Sequence, residues 1–307
     1  MALKGKDFTK GDLLVLAFDH RGSFMEKLFG IKGRVPTEQE TADISGFKKV
    51  VYEGFLKALE GGVPKQIAGI LVDEQFGSAI VTDAKARGVT FAMPCEKSGQ
   101  DEFDFEYGSD FGKHVEKFSP SFCKVLVRYN TEADATANKR QLARLAQLNG
   151  YLAASGRAFL FELLVPATPA QLAQSNGDKH AYDSQMRPKL MVAAMHEIQQ
   201  SGVEPDIWKM EGVDSPDDAR AIVAAAQAGG RKAGVITLGR GESREKVGEW
   251  LKVGAGISGV VGFAVGRTIF WDALAGLREG KHSRQQAIDA IAANYTDFVN
   301  LWQKERK

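Results

Sequence analysis

Two lysines of this sequence lie inside apolar segments, where an ammonium group is unfavourable to bury. Lys209 stands between a tryptophan and a methionine in DIWKMEG (206–212), and Lys124 lies in CKVLVRYN (123–130). Buried lysines are rare unless they are paired or give up their proton. A single lysine of this kind can extend its ammonium to solvent instead. Two of them on different strand-like runs, with Glu162 on a run between, favour a shared chemical site.

Such a lysine can act as a nucleophile only in its neutral form. At the reference pKa of about 10.4, only about 0.04% of a lysine is neutral at pH 7. Desolvation and a second ammonium nearby lower that pKa, and a drop of about 3 units needs roughly 4 kcal/mol. A neutral amine can attack a ketone to form a Schiff base, whose protonated imine allows an adjacent carbon–carbon bond to break. Glu162 has the residue type needed to move the protons.

The run GVVGFAVGRTIF (259–270) predicts an anion-binding strand end. Its glycines let backbone N–H groups approach a ligand, and a helix that begins there adds partial positive charge. Arg267 offers a bidentate guanidinium for phosphate, and Gly266 precedes it. Gly239 ends the preceding run, in TLGRGES, and Arg240 follows it. Close packing of a strand against a helix is the alternative explanation of the glycines.

Other ionisable residues gather at the ends of the same apolar runs. They are Asp19, His20, Arg21, Asp73, Glu74, Glu96, Arg128 and Glu211. Each alone is more often a helix cap or a rim ion pair. Glu211 lies two residues after Lys209 and therefore on the same face of a strand, where we expect an ion pair with Lys124 or Arg240. Arg128 follows Lys124 by four residues and shares that lysine's face.

Neither a metal nor a cofactor is predicted. The five histidines, His20, His114, His180, His196 and His282, show no H-x-x-x-H or similar spacing. Asp73, Glu74 and Glu211 could hold Mg²⁺, but carboxylates are common at such positions. The first junction, FDHRGSFMEK, has no G-x-G-x-x-G, which weighs against a bound dinucleotide.

The elements that would position these residues are short apolar runs, most of them followed by a helical pattern. The runs cover 13–20, 67–77, 90–96, 123–130, 158–166, 206–212, 232–239 and 257–267. They are nearly continuous in apolar residues, which is typical of parallel strands covered on both faces. Eight such units predict a single (β/α)8 TIM barrel over residues 1–307, with its chemistry at the C-terminal ends of the strands. An open doubly wound sheet is the alternative.

Helix boundaries are marked by local signals. Thr37, with Glu40 three residues later, predicts a capping box, and Gly156 predicts a helix end. Asp214 or Ser215 should cap the helix that carries Pro216 in its first turn. The polar, acidic stretch 97–110 is the segment that comes nearest to an excursion from this alternation of runs and helices.

Composition bounds the remaining possibilities. The chain has 307 residues, of which 44% are hydrophobic and 26% charged, with a net charge of +1. This near-neutral balance gives no reason to expect nucleic acid or an anionic membrane as a partner. Cys95 and Cys123 lack metal-ligand spacing and are expected to be free thiols. The start lacks a signal-peptide core, so we expect a cytoplasmic protein. The expected partners are a phosphorylated sugar as substrate and further copies of the same chain.

Several segments together resemble class I barrel aldolases related to tagatose-1,6-bisphosphate aldolase. They are AFDHRGSFMEKLFG, GILVDEQFG, KVLVRYN, FLFELLVP, IWKMEG and GFAVGRTIF, and they span nearly the whole chain. The first and last look closest to the aldolase-like domain often fused behind a ribokinase-like sugar kinase. That branch is associated with 5-dehydro-2-deoxygluconate 6-phosphate in inositol catabolism. This sequence has no counterpart of the kinase half.

The resemblance implies a role for each matching residue. Lys209 would form the Schiff base, with Lys124 as its neighbour and Glu162 as the acid/base. Asp19 would be a positioning carboxylate. The implied phosphate lies near Gly239, Gly266 and Arg267. The full set of expected substrate contacts is Gly239, Arg240, Gly266, Arg267, Arg128, Glu74, His20 and Glu211.

The sequence departs from the tagatose pattern in ways that concern the sugar rather than the imine. His20 replaces a glutamine, and Arg128 and Arg240 stand where that pattern has less basic residues. An arginine fork suits a planar carboxylate. We therefore favour cleavage of 5-dehydro-2-deoxygluconate 6-phosphate to dihydroxyacetone phosphate and malonate semialdehyde. The alternatives are a tagatose or fructose bisphosphate, a sulfonated ketose phosphate, an isomerase or epimerase reaction without a covalent step, and a non-catalytic phosphosugar-binding barrel.

Overall fold

Eight parallel strands close into a barrel in the computed structural model, which describes residues 3–306. Each strand pairs with its neighbours in chain order, and the last pairs with the first. The strands are β1 Leu13–Ala17, β2 Ala68–Leu71, β3 Thr90–Pro94, β4 Phe122–Arg128, β5 Ala158–Leu164, β6 Ile207–Glu211, β7 Gly234–Leu238 and β8 Val260–Val265. The predicted (β/α)8 barrel is confirmed, and the open sheet is wrong. Residues 1, 2 and 307, which the predicted domain includes, lie outside the described range.

Helices connect the strands and cover the outside of the barrel. They are α1 Gly22–Phe29, α2 Glu38–Glu60, α3 Glu74–Ala86, α4 Phe111–Phe118, α5 Ala135–Ser155, α6 Pro169–Gln174, α7 Lys179–Ala181, α8 Arg187–Gln200, α9 Pro216–Gln227, α10 Arg244–Ala255, α11 Arg267–Arg278 and α12 Arg284–Glu305. The connection from β5 to β6 is the most elaborate, because α6, α7 and a π-helical turn at Tyr182–Met186 precede α8.

Both faces of the strands are buried, which explains their nearly continuous apolar sequences. The inward face builds a small core from Val15, Ala17, Leu71, Ala92, Phe122, Ala158, Leu160, Ile207, Ile236, Val261 and Ala264. The outward face packs against the helices in a larger core. Because side chains alternate along a strand, Glu162 follows Leu160 and Lys209 follows Ile207 on the inward face. The inner core therefore forms a floor beneath the ionisable groups.

The predicted helix boundaries agree with the structure. Thr37 caps α2 in a reciprocal capping box with Glu40. Gly156 ends α5 in the left-handed conformation, with φ of 67°. Of the two candidate caps for α9, Ser215 accepts the first-turn N–H groups. Asp214 is not the cap, because its carboxylate accepts hydrogen bonds from Lys246 and Trp250 instead.

The acidic stretch 97–110 is held against the barrel rather than extended. Glu96 and Phe105 form an isolated antiparallel bridge, and Arg21 Nη1 lies 2.6 Å from Glu106 Oε2. Arg21 Nη2 also donates to the carbonyl of Glu96 at 2.6 Å. The segment is therefore fixed beside the end of β3.

Two expectations drawn from composition can also be compared with the structure. Cys95 and Cys123 are both buried and free, as predicted. Across residues 3–306, the helices do not combine the length and the apolar character that a membrane crossing requires.

Candidate active site

The two buried lysines meet at one carboxylate in the mouth of the barrel. Lys209 Nζ lies 2.9 Å from Glu162 Oε1, and Lys124 Nζ lies 3.0 Å from Glu162 Oε2. Strand register produces this geometry, because Glu162 is paired with Lys209 across β5 and β6 and with Leu126 across β4 and β5. Lys124 lies two residues before Leu126 on the same strand face. No more than 9% of any of the three ionisable side chains is exposed.

Lys124 is held by three carboxylates. Its Nζ lies 2.8 Å from Asp19 Oδ2 and 2.6 Å from Glu96 Oε1, in addition to its contact with Glu162. Burial alone would lower the pKa of Lys124, but the three carboxylates outweigh burial and hold that pKa well above its usual value. Lys124 is therefore a fixed positive charge at neutral pH. Of the two lysines, Lys209 is the one that lines the open cavity above.

The three carboxylates differ in their protonation behaviour. Burial raises the pKa of Asp19, but the ammonium groups of Lys124 and Lys209 outweigh burial and hold that pKa well below its ordinary range. The same balance lowers the pKa of Glu162. At Glu96 burial dominates, so its pKa is raised although Lys124 and Arg21 act against it. Asp19 and Glu162 are thus ionised bases at neutral pH.

Glu96 is a member of this cluster that sequence reasoning did not place in the site. Its Oε1 contacts Lys124, and its Oε2 has no hydrogen-bond partner within the described part of the chain. The available signal was its position at the end of an apolar run. That signal was shared by many residues, so it could not separate Glu96 from a rim carboxylate.

A cavity of about 780 Å³ opens above Lys209 at the C-terminal ends of the strands. Of the predicted site residues, it brings together His20, Arg128, Glu162, Lys209, Glu211, Gly239, Arg240, Gly266 and Arg267. Asp19 and Lys124 lie buried beneath it. Apolar side chains from β4 and β5, those of Leu126 and Leu164, form part of the same wall. The position agrees with the general location of chemistry in such barrels.

The junction of β8 and α11 forms one end of the cavity. A Cβ at Gly266 would lie 2.1 Å from the carbonyl oxygen of Ala17, so only glycine fits there. Helix α11 begins at the next residue, Arg267, and a helix N-terminus attracts anions. Arg267 Nη2 donates to the carbonyl of Arg240 at 2.6 Å, which places its guanidinium over Gly241. This arrangement is suited to a phosphate group.

Arg240 is committed to a network of charges on the neighbouring wall. Its Nε lies 3.0 Å from Glu211 Oε1, and its Nη1 lies 2.8 Å from Asp183 Oδ2. Burial would lower the pKa of Arg240, but those carboxylates raise it. The buried Arg187 contacts Asp183 at 3.0 Å and Glu211 at 3.4 Å. The predicted pair of Glu211 with Arg240 is confirmed. The alternative pair with Lys124 is wrong, because three other carboxylates surround that lysine.

Asp183 and Arg187 were not predicted from the sequence. They belong to the π-helical turn and to the start of α8, on the connection between β5 and β6. Their contact with Arg240 depends on how that connection folds over the barrel mouth. The spacing of residues in the sequence does not predict such a contact.

Arg128 reaches the cavity from β4. It is the last residue of that strand and lies on the same face as Lys124 and Leu126. Its Nη1 donates to the carbonyl of Gln100 at 2.6 Å. This contact anchors the side chain to the acidic stretch 97–110 without neutralising its charge.

His20 lines the cavity as a neutral imidazole. Burial lowers the pKa of His20 to about 4, and the pull of Asp19 in the opposite direction does not overcome it. Its Nδ1 has no hydrogen-bond partner among residues 3–306. The ring can therefore form a hydrogen bond with a ligand while it is uncharged at neutral pH.

Glu74 lies outside the site, which corrects the expectation that it contacts substrate. It is the first residue of α3, and its carboxylate contacts His114 Nδ1 at 2.7 Å and Lys117 Nζ at 2.9 Å. Strand β2 already ends at Leu71, so strand alternation does not extend to this position. The turn into α3 directs the side chain toward α4.

Together the fold and this site define a (β/α)8 barrel in whose mouth two lysines share a carboxylate. A family model described as "Uncharacterized protein conserved in bacteria (DUF2090)" matches residues 4–306, and the chain belongs to that family. No curated protein matches the chain.

Among solved structures, the chain is similar to a fructose-bisphosphate aldolase from Plasmodium falciparum, in complex with TRAP and a small-molecule inhibitor. The TM-score is 0.66 at 13% sequence identity, and the match covers 98% of this chain and 93% of that chain. At this identity the similarity shows a common fold.

Proposed function

We propose that this protein is a class I aldolase that cleaves a phosphorylated keto sugar through a Schiff base on Lys209. The observation that carries the proposal is the contact of two lysines with one carboxylate, Glu162, beneath an open cavity. Lys209 reaches that cavity, whereas Lys124 is held as a fixed charge. The fold similarity to a fructose-bisphosphate aldolase supports this type of reaction.

Imine formation requires the Lys209 ammonium to lose a proton, and Glu162 is in contact with it to accept that proton. The neutral nitrogen then attacks the substrate ketone and forms a carbinolamine. Glu162 returns the proton to the carbinolamine hydroxyl, which leaves as water. Lys124 keeps its charge throughout and stabilises the Glu162 carboxylate between the proton transfers.

The preferred substrate is 5-dehydro-2-deoxygluconate 6-phosphate, in which C5 is the ketone and the bond between C3 and C4 breaks. Glu162 accepts the proton of the C3 hydroxyl as the C3–C4 electron pair moves into the protonated imine. Malonate semialdehyde leaves, and the enamine of dihydroxyacetone phosphate remains on Lys209. Glu162 then protonates C4, and water hydrolyses the imine to release dihydroxyacetone phosphate and the free lysine.

The two ends of the cavity support this choice of substrate. Gly266 and Arg267 offer a phosphate site at the junction of β8 and α11. Arg128 adds positive charge elsewhere on the wall, which suits a second anionic group. Cleavage of a tagatose or fructose bisphosphate is the second candidate. The fold similarity to a fructose-bisphosphate aldolase favours it.

Borohydride trapping tests the proposal. The protein is incubated with dihydroxyacetone phosphate or the keto acid phosphate in the presence of a chelator, and the imine is reduced. Peptide mass mapping should place the adduct on the DIWKMEG peptide. An adduct on Lys124 would reverse the two roles, and the absence of any adduct would refute the covalent mechanism. Comparison of kcat/KM on the keto acid phosphate and on ketose bisphosphates decides between the two substrates.

A further inference from the structure

Two arginines of the cavity wall have no carboxylate partner within the part of the chain that the structure describes. Arg128 and Arg267 both line the cavity, and within residues 3–306 neither forms a salt bridge with a carboxylate. Each donates to a backbone carbonyl instead, that of Gln100 or that of Arg240. A partly enclosed guanidinium without a counter-charge favours an anionic ligand.

These two arginines lie on opposite sides of the barrel. Arg128 ends β4 and Arg267 follows β8, and in the closed ring of strands those positions are four places apart in either direction. Lys209 lies on β6, two places from each. A ligand that touches both arginines must therefore cross the barrel mouth, into which Lys209 projects from the strand midway between them. The site is built for a substrate with an anion at each end.

The two ends differ in how much negative charge they can balance. At the β8 end, Arg267 acts together with the N-terminus of α11, which suits a phosphate dianion. At the β4 end, Arg128 supplies one partly enclosed positive charge. Lys179 also reaches this cavity from α7, but it is exposed, so water competes for its ammonium. A planar group with a single negative charge matches the guanidinium fork.

The wall beside Arg128 is apolar. Leu126 precedes Arg128 by two residues on the same strand face, and Leu164 is paired with Arg128 across β4 and β5. Both leucines line the cavity. A substrate hydroxyl against this wall would lose its hydrogen bonds to water without replacement, whereas a methylene would not. The carbon next to the distal anion should therefore carry no hydroxyl.

Arg240 cannot serve the distal anion in the same way. Its guanidinium is already paired with Glu211 and Asp183, which form a compact charged group with the buried Arg187. A ligand anion would have to displace a carboxylate to reach it. Arg240 is therefore a positioning residue that supports the carbonyl to which Arg267 donates.

We propose that Arg128, and not Arg240, binds the distal group of the substrate, and that this group is a carboxylate separated from the reacting carbons by a methylene. This inference rests on the proposed aldolase function and decides which arginine reads the second anion. It predicts that position 128 sets the preference for acidic over neutral acceptor aldehydes.

The test uses the aldol addition direction, because dihydroxyacetone phosphate then supplies the phosphate end and the aldehyde supplies the distal end. The acceptors are malonate semialdehyde, neutral 3-hydroxypropanal and glyceraldehyde 3-phosphate. Wild-type protein should prefer malonate semialdehyde. Arg128→Gln should reduce its preference over 3-hydroxypropanal by roughly 10- to 100-fold in kcat/KM. Because both aldehydes are measured on one preparation, partial unfolding cancels from the ratio.

Three further variants sharpen the test. Arg128→Lys keeps the charge but loses the fork, so it should retain part of the preference. Arg240→Gln should lower both rates together. Arg140→Gln removes an exposed guanidinium that contacts Glu102 on the same acidic stretch, and it should leave the ratio unchanged. Loss of the preference in Arg240→Gln, or its survival in Arg128→Gln, would overturn the assignment. A wild-type preference for glyceraldehyde 3-phosphate would overturn the carboxylate.

Failure of the inference can be told apart from failure of the proposed function. Dihydroxyacetone phosphate alone should form a borohydride-reducible adduct with the wild-type protein, since it needs only Lys209 and the phosphate end. Without that adduct, the aldolase proposal is wrong. With the adduct present and the acceptor preference independent of position 128, only the assignment of Arg128 is wrong.

Discussion

Lys48 and Lys124 are both buried lysines in contact with carboxylates, yet they belong to different kinds of region. Lys48 extends from α2 and donates to the carbonyl of Phe18 at 2.9 Å and to the carboxylate of Asp73. The rings of Phe24 and Phe76 lie 5.5 Å from its Nζ. Lys124 extends from β4 beneath the cavity and contacts three carboxylates.

The difference shows what distinguishes a candidate site from a structural ion pair. Burial outweighs the attraction of Asp73 and lowers the pKa of Lys48, whereas three carboxylates outweigh burial and raise the pKa of Lys124. Neither Lys48 nor Asp73 lines the cavity above Lys209. A buried lysine–carboxylate contact is therefore not sufficient for chemistry. The cluster around Lys124 contains in addition a second lysine, Lys209, which contacts the same carboxylate, Glu162, and reaches the cavity.

The largest expected effect comes from Lys209. Lys209→Ala should reduce aldol cleavage by about four orders of magnitude, because the covalent intermediate is lost. Its thermal unfolding should change little, since Glu162 keeps its contact with Lys124. Lys209→Arg is the matched control, because it preserves the positive charge but cannot form an imine. Substantial turnover by the arginine variant would refute a covalent role. Lys209 would then, like Lys48, contribute only its charge.

Lys48 should show the opposite pattern. Lys48→Met should destabilise the protein by about 3 kcal/mol, since it leaves Asp73 buried without its partner. The kcat of the folded fraction should be unchanged. Urea unfolding measures the first quantity, and activity normalised to folded protein measures the second. Addition of Asp73→Asn should recover part of the stability. A loss of kcat without a loss of stability would contradict the comparison.

Substitution of Arg267 tests whether the cavity above Lys209 binds phosphate. Arg267→Ala should raise KM for a phosphorylated substrate by roughly 10- to 100-fold, because a charged bidentate contact is worth roughly 1.5–3 kcal/mol. Inorganic phosphate should compete with substrate in the wild-type protein and much less in the variant. An unchanged preference for phosphorylated over unphosphorylated sugars would place the phosphate elsewhere.

The smallest effect should appear at alkaline pH. There the contribution of Lys48 to folding stability should become more favourable as pH rises, whereas that of Lys124 should become less favourable. The folded pKa of Lys48 is lowered from 10.5, so its unfavourable contribution to stability disappears as pH rises toward that value. The folded pKa of Lys124 is raised, so its favourable contribution is complete below 10.5 and is lost only above it. Urea unfolding of the wild type and Lys48→Met at pH 7 and 10 should therefore show a difference that grows with pH. A difference that shrinks would reverse the assigned shift.

Sequence reasoning succeeded where a pattern depends on strand periodicity. Eight apolar runs predicted the barrel, and alternation placed Glu211 on the face of Lys209. The approach of Glu162 to both lysines followed from their places on strands β4 to β6. These relations are local or depend on neighbouring strands, so the order of elements largely determines them.

The failures share a different cause. Glu74 was assigned by its position near an apolar run, although the chain had already turned into α3. The burial of Lys48 cannot be predicted from the sequence, because it depends on how α2 packs against β1 and β2. Asp183 and Arg187 depend on the folding of a long connection over the mouth. Contacts between helices, connections and strand ends require the three-dimensional arrangement, which local periodicity does not contain.

The close approach of Gly266 to β1 has a consequence for how the protein can diversify. Any side chain at this position would collide with the backbone of Ala17, so mutation at the β8 end disturbs the barrel itself. Arg128 occupies the opposite end as an ordinary side chain on a strand terminus. Substitution at position 128, in evolution or in a directed-evolution library, can therefore change which distal group the protein accepts. Position 266 tolerates only glycine.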